Sequence, residues 1–280
     1  VTDFAAALRA ALLDGNLAPF AATLLHRAQL EDGLSLAIGR DAIVAETLAL
    51  AAAFSNRALP GLVSFGSGRW RFVGLRLTGT LHGPVGPVVA LEPQPATFIR
   101  HLWLDTEGGR GTRIISVSGW AGLPGSQAER WGASHPAHRP LGELRSGRAQ
   151  LQAATNATAP LADRIIADLN ARTLNTGPAT WQGPDDHGSA EDDVTGDARR
   201  DWWLSLFARV PDAHLTLEAS IEEGSTLLLL WRLQGHINSR RFNLPGSTIL
   251  GIADGRAQSE TVAFDELALA ATAHRPFHPE

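Results

Sequence analysis

Cysteine, methionine, lysine and tyrosine do not occur anywhere in the 280 residues. Without cysteine there is no disulfide, thiolate nucleophile, iron–sulfur cluster or cysteine zinc site. Without lysine there is no Schiff base, no pyridoxal-phosphate anchor and no Walker-type phosphate loop, so all 24 cations are arginine. The proton carriers that remain are ten histidines and 29 carboxylates. There is no basic excess either: the net charge is −5, and arginines never cluster beyond the pairs Arg199-Arg200 and Arg240-Arg241. That excludes a nucleic-acid groove as the expected site. Long apolar runs are also missing. Leu227 to Trp231 is far too short to cross a bilayer, and Val1-Thr2-Asp3-Phe4 does not read as a signal peptide. The expectation is a soluble, cytoplasmic protein with neither nucleic acid nor membrane as partner.

What the chain does contain, it contains twice. Gly68 to Thr80 is echoed by Gly224 to His236, with Arg76-Leu77-Thr78-Gly79 in register with Arg232-Leu233-Gln234-Gly235, 156 positions on. Gly39-Arg40-Asp41-Ala42 meets Gly196-Asp197-Ala198-Arg199 at nearly the same offset. A repeat of this length predicts two similar domains.

Periodicity predicts helices over about 3–13, 17–25 and 40–54, the last with Ile43, Val44, Thr47, Leu48, Leu50, Ala51 and Phe54 in one stripe. A strand is expected near 26–30, and further strands follow at 62–65, 70–81, 85–91, 97–104 and 112–120, set apart by Gly and Pro. Residues 125–158 read as a linker between a domain over 1–124 and another over 159–280. In the second domain, helices are expected at 160–174 and 197–210 and strands at 179–182, 214–221, 226–236, 247–253 and 256–264, with Asp265 capping a closing helix over 267–273. The plan is α+β.

The run Arg199 to Pro211, the segment Asp212 to Glu218, Trp231-Arg232-Leu233-Gln234-Gly235, Ile249 to Gly255 and Phe264-Asp265-Glu266-Leu267 together resemble a SnoaL-like polyketide cyclase domain of the nuclear transport factor 2-like superfold. The first half resembles it more faintly, through Gly39 to Ile43 and Arg76 to Thr80. The resemblance implies two cones, each a curved antiparallel sheet wrapped on helices around an apolar pocket. It also implies sheet-to-sheet pairing, which a tandem chain satisfies internally as a monomeric pseudo-dimer. The implied activity is cofactor-free ring closure or isomerisation of a small hydrophobic or aromatic molecule by a carboxylate on the last strand beside a histidine. The implied positions fall on Val262 and Thr248, and neither is ionisable.

Glu260 lies two residues before Val262, on the same strand face and about 7 Å along it, so it is the candidate displaced base. Its other reading is a surface charge or a salt bridge to Arg232 or Arg256. His236 at a strand end and Asp265 are the further catalytic candidates, with solvent exposure and helix capping as their alternatives. Trp181, Trp202, Trp231, Arg232, Thr248 and Val262 are the candidate ligand contacts. His101 reads as a buried imidazole rather than a proton shuttle. The acidic segment Asp185 to Asp193 fits no metal-binding spacing, so no metal is expected. A non-catalytic ligand-binding or assembly module is the rival function. An epoxide hydrolase built on Asp265 and Arg232 is the third.

Overall fold

The computed structural model describes residues 3–33, 35–66, 68–85, 88–90, 92–119, 159–173, 180–182, 196–266 and 268–269. The expected linker, the acidic segment and the closing stretch from 270 onward lie outside them.

The chain opens with α1 (Phe4–Asp14), started by Asp3, whose side chain accepts from Ala5 N at 3.0 Å, and stopped at Gly15 in the left-handed region. Then come α2 (Leu17–Ala22), β1 (Leu24–Glu31), β2 (Leu36–Ile38) and α3 (Arg40–Ala53). The strands β3 (Phe54–Ala58), β4 (Val63–Phe65), β5 (Trp70–Leu81), β6 (Pro84–Val85), β7 (Val88–Val89), β8 (Gln94–Glu107) and β9 (Arg110–Gly119) follow. From residue 159 onward come α4 (Ala159–Asn170), β10 (Thr180–Gln182), α5 (Gly196–Arg209), β11 (His214–Glu223), β12 (Thr226–Ile237), β13 (Arg240–Ala253) and β14 (Arg256–Phe264).

Several strands depart from the sequence reading: β2 is absent from it, and the single strand expected over 85–91 is a short antiparallel pair, β6 with β7. Phe54 does not close α3 but opens β3, where Asn56 has φ 51°. β13 begins seven residues before the expected Ser247. Asn238 and Ser239 both take positive φ, the geometry of a tight hairpin turn, so β12 runs directly into β13. Pro245 is tolerated inside β13 because there it faces Arg232 of β12, while pairing with β14 starts only at Gly246.

The main sheets follow one plan. In the first, the order is β2-β1-β9-β8-β5-β3, with β1 parallel to β9 and β4 also on β5. In the second, it is β10-β14-β13-β12-β11, with β10 parallel to β14. Register agrees in detail. Arg76 pairs with Ile99 as Arg232 pairs with Pro245, and a bulge at Asp105/Thr106 matches one at Gly251/Ile252. The main helices match as well: α3 buries Ile43, Thr47, Leu50 and Ala51, and α5 buries Arg199, Trp203, Leu206 and Phe207 at the same spacing.

Each sheet packs one face on its helices. Leu75, Leu77, Leu102, Leu104 and Ile114 meet α1 to α3 in the first, and Leu227, Leu229, Trp231, Leu233 and Val262 meet α4 and α5 in the second. The alternate residues of the same strands, Phe72, Trp103 and Ile115 against Ala219, Ile221, Leu228 and Leu230, join the two sheets in a third apolar cluster. Trp103 Nε1 donates to Ser247 Oγ across it at 2.9 Å.

At one margin of this contact four charges close a ring. Arg113 donates to Glu218 (2.7 Å) and Glu31 (2.9 Å), and Arg232 donates to Glu218 (2.6 Å) and to both oxygens of Glu31. Each half supplies one acid and one arginine, so each is neutral by itself, and meeting closes the two pairs into one ring. Desolvation would raise the Glu31 carboxyl, but the hydrogen bonds from Arg232 and Arg113 outweigh it and hold it below its ordinary value. Arg232→Leu is expected to cost about 2 kcal/mol in chemical denaturation, below the full buried-pair penalty because Glu31 and Glu218 keep some contact with water. An unchanged midpoint would show that the ring does not hold the sheets together.

Candidate functional site

On the helix-covered face of the second sheet, β14 presents Glu260, Val262 and Phe264 in alternation, and α5 presents Arg199 and Trp203 one turn apart. Arg199 Nε donates to Glu260 Oε2, and the pair is all but sealed, with side chains 7% and 1% exposed. The partner of Glu260 is therefore a helix arginine, and neither Arg232 nor Arg256. Burial pushes the Glu260 carboxyl above its ordinary value, while the charge and hydrogen bond of Arg199 pull against that rise. Its second oxygen, Oε1, has no hydrogen-bond partner among the described residues.

Aromatic side chains close in beside this pair. Trp231 stacks on Phe264 with ring centroids 5.8 Å apart, and Trp203 lies 5.7 Å from both Trp231 and Phe207. Gly246 is required here: a β-carbon at that position would come within 2.1–2.3 Å of the Trp231 ring. Trp231 Nε1 donates to Thr248 Oγ1 at 2.9 Å, and Thr248 is paired in register with Val262. Thr248, Val262 and Trp231 thus meet in one layer next to Glu260, although neither Thr248 nor Val262 can carry a proton for chemistry. Trp202 is buried and packs edge-on against Trp203, centroids 4.7 Å apart. The backbone of Trp181 pairs with that of Glu260, and its side chain lies outside the description.

The remaining candidates are placed elsewhere. His236 is exposed at the end of β12 and bonded through Nδ1 to Asp212 at 2.7 Å, which with the His236 backbone hydrogen bond holds the Asp212 carboxyl below its ordinary value. Asp265 caps the next turn, accepting from Ala268 N at 2.8 Å. Arg232 faces the other sheet, in the charged ring. The Asp265–Arg232 pairing required for the epoxide-hydrolase reading is therefore not formed. The ring and Thr216, Leu217 and Asn243 line an open cleft of about 380 Å³.

The first sheet holds a polar group that the sequence reading misses. Arg100, buried on the strand face of Phe98 and Leu102, donates to Ser116 Oγ at 2.5 Å and to Glu46 Oε1 at 2.7 Å, with Asp32 at 3.8 Å. It borders a cavity of about 10 Å³, the room of one water, with Thr47, Ile43 and Ile114. The signal for Arg100 and Arg199 alike was an arginine on an otherwise apolar stripe.

Register shows what distinguishes the two halves. Ile43 stands in α3 where Arg199 stands in α5, and Ile114, opposite Leu104, stands where Glu260 stands opposite Leu250. Ile43 and Ile114 line the same small cavity. One half thus places two isoleucines where the other buries an ion pair.

No protein-family model and no curated protein matches the chain. Solved structures similar to parts of it include three of this kind. One is a Xanthomonas campestris protein provisionally assigned as a polyketide cyclase (16% identity over 40% of this chain and 85% of the other, TM-score 0.35). Another is a Catenulispora acidiphila protein of ketosteroid isomerase-like fold, in complex with trimethylamine (15%, 43% and 88%, 0.36). The third is a nuclear transport factor 2-like protein of Anabaena variabilis (13%, 40% and 81%, 0.33). Likeness of this degree says nothing of activity.

Proposed function

We propose that the chain is a tandem of two SnoaL-like cones, packed sheet to sheet as an internal pseudo-dimer. In this reading the C-terminal cone binds a small, largely apolar or aromatic molecule, and Glu260 is its acid/base group, with no cofactor. The observation that carries the reading is the Arg199–Glu260 pair. Desolvating two charges costs several kcal/mol per ion, and an apolar pair of similar volume is often as stable or more so. Ile43 and Ile114 fill the corresponding places in the other half, whose buried cation is Arg100 on a different strand, so the charges are not needed at these two positions. A costly group that the other half does without at these positions, and whose carboxyl is pushed upward by burial, fits a site kept for chemistry.

The simplest reaction of such a group is removal of a proton next to a ketone. The Glu260 carboxylate takes the α-proton, the ketone becomes its enolate, and the carboxylic acid returns a proton to carbon. Arg199 keeps the carboxylate in place. The test is exchange of the α-protons of 2-tetralone in D₂O, followed by proton NMR. The intact protein is expected to accelerate it, and Glu260→Gln to lower the acceleration by roughly two to four orders of magnitude. Exchange that survives Glu260→Gln within a factor of about three would remove Glu260 from the role.

A non-catalytic ligand-binding module is the second reading. It is favoured by Thr248 and Val262, which put no titratable group at the two positions where the resemblance expects one. No acceleration by the wild-type protein would select it.

A further inference from the structure

Glu260 Oε1, which has no hydrogen-bond partner among the described residues, lies beside a layer of side chains that holds another such atom. That atom is Trp203 Nε1: the residue is fully buried, and its N–H meets no acceptor among the described residues. Both side chains belong to the interior of the C-terminal half. Trp203 follows Arg199 by one helical turn, and Arg199 is bonded to Glu260. The neighbouring indole of Trp231, by contrast, is satisfied by Thr248. A buried donor and a buried acceptor are each expensive to leave unmade, and native interiors pair nearly all of them. A hydroxyl group satisfies both at once, since it accepts from an N–H and donates to a carboxylate oxygen.

We infer that Trp203 Nε1 and Glu260 Oε1 together hold one hydroxyl of a small neutral ligand, making the C-terminal cone selective for phenols and alcohols over hydrocarbons and carboxylates. This rests on the proposed binding role of that cone. A hydrocarbon leaves both polar atoms unmet. A carboxylate brings a second negative charge beside Glu260 and no proton to donate to it.

The test is a ¹⁹F NMR titration of the intact protein with 4-fluorophenol, fluorobenzene and 4-fluorobenzoate. 4-Fluorophenol is expected to bind about tenfold more tightly than fluorobenzene, the worth of roughly one hydrogen bond, and 4-fluorobenzoate more weakly than either. Trp203→Phe keeps an aromatic ring and removes the N–H. It is expected to weaken 4-fluorophenol severalfold, leaving the part of its preference that Glu260 Oε1 supplies, and to leave fluorobenzene unchanged. Equal binding of phenol and hydrocarbon, tightest binding of the benzoate, or a Trp203→Phe protein whose preference for the phenol is undiminished would each overturn the inference while leaving the cone a binding site. Binding of none of the three would take away the cone-binding reading as well. The wild-type comparison decides the matter even if the variant does not fold.

Discussion

Arg199→Ile alone is expected to lower the unfolding free energy by about 3–5 kcal/mol, whereas Arg199→Ile with Glu260→Ile is expected to restore it and to exceed the wild type by up to about 4 kcal/mol. The single change strands a carboxylate that is 1% exposed, and the second removes the stranded charge. The double change also reproduces the pair that the other half uses, Ile43 with Ile114. Because burial raises the Glu260 carboxyl, the penalty of the single variant shrinks as pH falls and the stranded group takes up a proton. Urea unfolding of the wild type, both single variants and the double variant completes the cycle. A double variant no more stable than Arg199→Ile would mean that the fold itself requires the charges, and the case for function at Glu260 would lose its support.

Acid is expected to destabilise the protein by about 3 kcal/mol between pH 6.5 and 4 through His101 alone. This imidazole lies on β8, fully buried, edge-on to Phe72 with ring centroids 5.1 Å apart, and its Nδ1 has no partner among the described residues. Burial lowers its pKa from 6.5 to about 4. Below pH 6.5 the unfolded chain therefore takes up a proton that the folded one refuses. Stability is complete above 6.5 and drains away as pH falls toward 4. Glu260, whose carboxyl is raised, works in the opposite sense, and carboxylates held low, such as Glu31, lose their contribution only at lower pH. His101→Leu isolates the effect: its stability profile should be flatter across this window by about 3 kcal/mol. Parallel profiles for wild type and variant would show that the imidazole is protonated in the folded state.

Much of the fold is legible in the residues. The α3 stripe, the long strands β5 and β12 and the Arg76/Arg232 echo are local patterns of period 3.6 and 2, and local patterns survive translation into structure. The boundaries of β3 and β13 were hidden for equally local reasons. Phe54 is as apolar at the end of a helix as at the start of a strand, and Asn238-Ser239 is a turn only because both residues accept positive φ.

The candidate site divides in the same way. Strand alternation alone puts Glu260, Val262 and Phe264 on one face, and composition alone removes lysine, cysteine and tyrosine from any chemistry. Sequence cannot say which cation answers Glu260, because Arg199 lies 61 residues away on a different element. Only the packing of α5 against β14 joins them, and only the pairing of the two sheets turns Arg232 from a ligand contact into one corner of a charged ring. Periodicity decides which way a side chain points. What it meets there depends on contacts between segments far apart in the chain: those of Glu260 exist only once α5 has packed on β14, and those of Arg232 with Glu31 only once the halves have closed on each other.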